Sequence, residues 1–237
     1  MKHTNRLVLR LIAITLPLMS GLAMAGGEDD PLLTKVMIDE LERGLDSADP
    51  TRFSGQAWIG HDLNKLWLKT EGEYQNSDEQ DVELQALYSR AIAPYWDLQI
   101  GLKTDIKPSP SRNWAVLGIQ GLSPYFFEVD TALFIGDAGR TAIRLSAEYE
   151  LLISQKLILT PEVEINLYGQ NDAELSIGAG ISNISTGLRL RYEFIREFAP
   201  YVGIEWSKKF GNTADFARDK GEDSQETQLV VGVKAWF

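Results

Sequence analysis

Ile143-Arg144-Leu145-Ser146-Ala147-Glu148-Tyr149-Glu150-Leu151 is the stretch that decides the fold. In an extended chain Ile143, Leu145, Ala147, Tyr149 and Leu151 point one way, and Arg144, Ser146, Glu148 and Glu150 point the other. The same period of two returns in Lys65–Tyr74, Val82–Ser89, Trp96–Ile106, Tyr125–Ile135, Leu157–Leu167, Leu188–Phe194, Val202–Trp206 and Leu229–Phe237, and less cleanly in Asn113–Leu122. These make ten expected strands.

Such alternation fits a soluble sandwich or a barrel turned inside out in a membrane. The segments are long for soluble strands and match the length of tilted membrane strands. Their polar face carries charges of both signs, as a lumen does, and their apolar face is rich in Leu, Ile, Val and aromatics. Short connections such as Ala93-Pro94-Tyr95-Trp96, Ser123-Pro124-Tyr125-Phe126 and Phe198-Ala199-Pro200-Tyr201 alternate with longer polar ones at 107–112, 136–140, 169–182 and 211–226. That asymmetry is the pattern of outer-membrane barrels, and the Pro-aromatic turns place Tyr95, Trp96, Tyr125 and Tyr201 in an interfacial girdle. A strand running to Phe237 resembles the signal read by the outer-membrane assembly machinery.

The expected fold is therefore all-β: an antiparallel transmembrane β-barrel of about ten strands over residues 52–237, in outer-membrane lipid with both termini periplasmic. Residues 26–51 read differently. Asp30 and Pro31 suit a helix start, Leu33, Val36, Met37, Leu41 and Leu45 share a helical face, and Gly44 suits a stop. A short amphipathic helix on the periplasmic side is the expectation there. Ahead of it, Lys2, Arg6 and Arg10, an apolar run over 11–19 and Ala23-Met24-Ala25 read as a signal peptide of residues 1–25. Its removal takes away three of the 23 basic residues and none of the 34 acidic ones, moving the net charge from -11 to -14.

Composition excludes several classes. The acidic balance argues against nucleic acid. With no cysteine and two histidines in 237 residues, thiolate metal sites and cysteine nucleophiles are ruled out. Only His61 survives cleavage, which leaves an outer-membrane hydrolase as a remote alternative, and no catalytic residue is expected. The mean hydropathy of -0.17 looks soluble because lipid-facing and lumen-facing residues cancel along each strand.

The chemistry then lies in the lumen, where inward acids outnumber inward bases. A salt-bridged filling accounts for most of these charges. The sharper reading is a cation site or path along Glu71, Glu73, Glu128, Glu148 and Glu164, since a ring of carboxylates attracts cations.

Trp58-Ile59-Gly60-His61-Asp62-Leu63-Asn64-Lys65-Leu66-Trp67, Ala91-Ile92-Ala93-Pro94-Tyr95-Trp96-Asp97-Leu98, Gly121-Leu122-Ser123-Pro124-Tyr125-Phe126-Phe127, Arg196-Glu197-Phe198-Ala199-Pro200-Tyr201 and Gly211-Asn212-Thr213-Ala214-Asp215-Phe216-Ala217 resemble blocks of the copper resistance protein B family. The resemblance runs from about Pro31 to Phe237. It implies a bacterial outer-membrane protein of copper tolerance, with copper as its ligand or cargo and a periplasmic copper-handling protein as a partner. Many members carry a Met- and His-rich periplasmic segment ahead of the barrel; that segment is missing here. Met37 and His61 remain as the thioether and imidazole of the mature chain, and Asp62 is the carboxylate beside His61, so these three are the metal ligands the resemblance suggests. The alternative is a non-conducting structural barrel that affects copper through a periplasmic partner contacting Pro31–Leu45.

Overall fold

The computed structural model describes residues 30–45, 50–75 and 78–237; the expected signal peptide lies outside the described residues. Thirteen strands follow in order: β1 Leu33–Gly44, β2 Thr51–Gly60, β3 Asn64–Gln75, β4 Asp78–Ala93, β5 Trp96–Lys107, β6 Arg112–Leu122, β7 Phe127–Gly136, β8 Thr141–Tyr149, β9 Leu151–Leu152, β10 Leu157–Tyr168, β11 Gly180–Tyr192, β12 Phe198–Lys209 and β13 Gln225–Trp236. One α-helix, α1 (Gly211–Asp219), interrupts the run between β12 and β13.

Consecutive strands pair antiparallel around a ring, with β8 passing to β10 and β10 to β11. The ring closes where β1 pairs with β13. Twelve strands thus form a closed barrel, and the two-residue β9 extends β8 along β10. At ~3.3 Å per residue, a twelve-residue strand spans about 40 Å, and tilting brings its height close to a bilayer's hydrocarbon thickness. Closure pairs the backbone groups internally, the condition for crossing lipid with strands.

Exposure has the sign of a membrane protein. Leu66, Leu68, Ile100, Leu102, Leu117, Ile119, Ile143, Val202 and Leu229 are exposed on the outside, whereas Glu42, Glu83, Gln85, Lys103, Arg189, Arg191 and Glu205 are buried inside. Glu83, Lys103, Arg189, Arg191 and Glu205 are charged residues that parity places inward, and the barrel encloses them; Glu42 joins them from the strand read as a helix. On β6 the inward residues include Trp114 and Val116, which join Leu87, Ala132, Phe134 and Ala142, flanked by Trp67 and Tyr168, in an apolar cluster. Those inward apolar side chains blur the alternation over Asn113–Leu122.

All ten expected strands are present, and two more precede them. The helix expected over Pro31–Leu45 is instead β1, paired with β2 on one side and β13 on the other. A bulge at Asp39 shifts its register against both neighbours. The extra residue puts Val36 and Leu41, five apart, on the same outward face, and a strand with a bulge then imitates helical spacing. Strand β2 escapes detection because its outward residues include the small Gly55 and Ala57, while Trp58 points inward with Trp67.

The strands define two ends. The near end holds the first described residues, Phe237 and the turns at 61–63, 94–95, 123–126, 150–156 and 193–197. Tyr95 and Tyr125 stand exposed there, each with φ near 68°, a conformation rare for a bulky residue. Tyr201 departs from the expectation of a girdle residue: it lies within β12, is buried, and faces the lumen. The far end carries the longer connections, 169–179 and 210–224. Residues read as loop between 211 and 226 begin with α1, whose Thr213, Ala214 and Ala217 are buried against the barrel.

Candidate functional site

The lumen is filled unevenly. In its far half, Glu83 of β4 meets Lys103 of β5 and, at 2.9 Å, Arg144 of β8, which also lies 3.3 Å from Glu71. Trp114 donates its indole N–H to Asp105 at 2.7 Å. Above these, Asp172 in the β10–β11 connection accepts from Arg112 at 3.0 Å, and Arg140 Nε lies 3.2 Å away as an ion pair. The Gly178 N–H donates to the Thr213 hydroxyl at 2.8 Å, tying that connection to α1. A void of only about 20 Å³ remains beneath it.

Nearer the termini the lumen widens into a cavity of about 530 Å³, reaching Leu122 and Glu128 at the near rim. Eight carboxylates line it: Asp39, Glu40, Glu71, Glu128, Asp130, Glu148, Glu162 and Glu164. The lining cations are Lys69, Arg189, Arg191 and Lys234. Arg189 is saturated by Glu40 at 3.1 Å, Glu42 at 2.7 Å, Glu162, and Glu205 at 3.6 Å. Lys69 holds Asp130 at 2.7 Å. The acid excess therefore falls on the remaining wall. There Glu128 and Glu148 of the lining, with Glu150 beside them, bring carboxylate oxygens within 4.8 Å of one another. Lys234 Nζ lies 3.8 Å from Glu148, and Arg191 donates to Glu150 at 2.6 Å.

Of the residues expected from the sequence, Glu71, Glu128, Glu148 and Glu164 all line this cavity. Glu164 accepts from Asn166 at 2.7 Å. Glu73 does not line it and pairs with Arg52 at 3.1 Å. His61 and Asp62 sit together in the β2–β3 turn at the near end. The His61 Nδ1 lies 3.0 Å from the Asp30 carbonyl, and the Asp62 N–H donates to the Asp30 carboxylate at 3.0 Å. Met37 is set apart from them, opposite Gln56 and Trp236. It lies four residues along β1 from the Leu33–Gly60 pair, or roughly 13 Å at strand rise. The three suggested ligands do not converge.

Sequence reading missed Asp39 and Glu40, because a helix over β1 hid their inward direction. The bulge is the cause: it lets two consecutive acids both line the lumen. The run Asp39-Glu40-Leu41-Glu42 carried the signal, acids at alternate positions continuing the pattern of the later strands.

A closed twelve-stranded barrel with an apolar exterior and a charged lumen is a transmembrane β-barrel with a porin-like fold. Its fold is similar to that of the NanC porin (TM-score 0.56, 13% identity, covering 86% of this chain and 99% of that one) and the KdgM porin (TM-score 0.54, 13% identity, 86% and 99%). The particular family is given by sequence: residues 32–237 match the family described as copper resistance protein B precursor (CopB), and the chain belongs to it. It is 40% identical over 203 residues to copper resistance protein B of Escherichia coli, covering 85% of this chain and 69% of that protein. It is 46% identical over 180 residues to the copper resistance protein B homolog of Pseudomonas syringae pv. tomato, covering 76% of this chain and 61% of that one.

Proposed function

We propose that this barrel sits in the bacterial outer membrane with both termini periplasmic and takes copper ions into its acidic lumen, for binding or passage. The observation that carries this reading is the cavity of about 530 Å³ in which carboxylates outnumber cations. Family membership supplies the metal, and the cavity supplies a field that draws cations in. Short turns at the near end and longer connections at the far end support a periplasmic near end. Phe237, whose backbone exchanges hydrogen bonds of 2.8 and 3.0 Å with Val36 at the barrel seam, is the feature we assign to the assembly machinery. The reading is non-catalytic and casts copper as cargo or ligand.

The test is copper uptake and ion conductance in liposomes holding the purified protein. Wild type is expected to admit copper, and the double variant Glu148→Gln with Glu164→Gln to admit less. A wild-type barrel that neither conducts nor binds copper overturns the reading. It would favour a structural barrel that serves a periplasmic copper-handling partner at the near end.

A further inference from the structure

The wall that holds Glu128, Glu148 and Glu150 is broken in a particular way. Strand β10 pairs Glu162 with Glu148 and Leu159 with Leu151. Two residues lie between these pairs on each strand, so Thr160 stands across from Glu150 and Pro161 across from Tyr149. Proline has no N–H to give the ladder, and here the strand lapses: Glu150 falls between β8 and β9. The gap frees Glu150 from regular pairing where its carboxylate meets Glu128 and Glu148.

Thr160 supplies a second observation. It is 5% exposed and lines the same cavity, and its hydroxyl oxygen is buried with no hydrogen-bond partner. Buried hydroxyls are rarely left unpaired, and a bound ion or its water shell is one of the explanations such a group calls for. Three carboxylates and an unpaired hydroxyl at one strand break are the donor set of a cation site.

Every donor in that set is oxygen. No histidine, methionine or cysteine lines the cavity among the described residues. Soft thioether and thiolate donors select Cu(I), whereas among divalent ions at nitrogen and oxygen sites Cu(II) binds most tightly. We infer that Glu128, Glu148, Glu150 and Thr160 form an all-oxygen site that takes copper as Cu(II) and rejects Cu(I). The inference rests on the lumen reading above and adds the oxidation state and two ligands. The facing cations are Lys234, 3.8 Å from Glu148, and Arg191, 2.6 Å from Glu150 and 3.7 Å from Glu193. Each engages one oxygen of its carboxylate and leaves the other for the ion. Three carboxylates against two cations keep the site net negative.

The experiment titrates the purified, folded full chain with Cu(II), followed by electron paramagnetic resonance, and with Cu(I) under anaerobic competition with a Cu(I) chelator. The expected result is one tightly held Cu(II) with oxygen coordination and no nitrogen coupling, while the chelator keeps the Cu(I). Glu150→Gln is expected to weaken Cu(II) at least about tenfold. Thr160→Val, nearly the same shape, is expected to weaken it by a smaller factor while circular dichroism shows the barrel intact. Cu(II) bound with nitrogen coupling that disappears in His61→Ala overturns the site. So does Cu(II) affinity unchanged in both Glu150→Gln and Thr160→Val. Cu(I) held in the lumen as tightly as Cu(II) overturns this inference and leaves copper entry standing. Failure to bind or admit copper in either state overturns both.

Discussion

Glu148 of β8 faces Glu128 of β7 directly across their antiparallel ladder, and on its other side it faces Glu162 of β10. Three carboxylates thus stand abreast on neighbouring strands. Like charges directly opposite destabilise a sheet by a few tenths to about 1 kcal/mol per pair, and Lys234 at 3.8 Å is a loose counter-ion. Replacing Glu148 by Gln removes both the repulsion and the weak pair. The unfolding free energy in metal-free lipid vesicles is expected to stay within about 1 kcal/mol of wild type. A loss of several kcal/mol in a urea titration would mean that Glu148 is a structural ion-pair partner and not a poised ligand.

Much of this arrangement was legible in the residues. Where one strand face meets lipid and the other a charged lumen, alternation is strict, and Ile143–Leu151 gives Arg144, Glu148 and Glu150 their inward direction without a structure. It fails where a physical rule intervenes. The bulge at Asp39 shifts parity within β1, so Val36 and Leu41 imitate a helix. The inward apolar residues Trp114 and Val116 weaken the contrast along β6. Tyr201 shares a Pro-aromatic dipeptide with Tyr95 and Tyr125, yet Pro200 is accommodated within β12 opposite Val233. That dipeptide does not make a turn unless a following residue takes positive φ, as Tyr95 and Tyr125 do. The meeting of Glu128 with Glu150 depends on register and the lapse at Pro161, which composition does not encode.

The outward face makes its own prediction. Leu117 lies midway along β6, pairs with Ile100 and Leu133, and is 47% exposed. An arginine there meets the hydrocarbon centre of a bilayer and is expected to cost about 2–4 kcal/mol, falling to about 0–1 kcal/mol for Asn113→Arg at the strand end. Reversible unfolding in vesicles measures both. Equal costs at the two positions would contradict a lipid belt centred on Leu117.

The connection over the far end yields a dynamic prediction. Asp172 is held by Arg112 and Arg140, and the segment is also tied by the Gly178 N–H on Thr213 and by Asn171, which accepts from Asn212 at 3.1 Å. In Asp172→Ala the two guanidinium groups lose their shared carboxylate. Hydrogen exchange over 169–179 is expected to accelerate while exchange in β10 and β11 stays slow. Unchanged exchange over 169–179 would show that Glu174, which also meets Arg112 at 2.7 Å, holds the segment together with the contacts to α1 without help from Asp172.

Arg189 tests how the lumen tolerates its acid excess. Its side chain is 8% exposed and meets Glu40, Glu42, Glu162 and Glu205 from three strands, β1 twice and then β10 and β12, around its own position on β11. Among the described residues only Glu205 has another cation, Arg52. Arg189→Met keeps most of the volume and leaves Glu40, Glu42 and Glu162 enclosed without a counter-charge. Removing one partner of a buried ion network costs about 3–5 kcal/mol, because the remaining charges stay desolvated. Lys209→Met breaks an exposed pair with Glu222 at 3.0 Å and is expected to cost no more than about 1 kcal/mol. Urea unfolding of the two variants in vesicles, read by tryptophan fluorescence, separates these sizes. Adding Glu162→Gln to Arg189→Met is expected to recover part of the loss, since one of the stranded carboxylates is then neutral. If the double variant is no more stable than Arg189→Met, the penalty comes from lost packing against Tyr201, whose ring lies 5.9 Å from the guanidinium, and not from uncompensated charge.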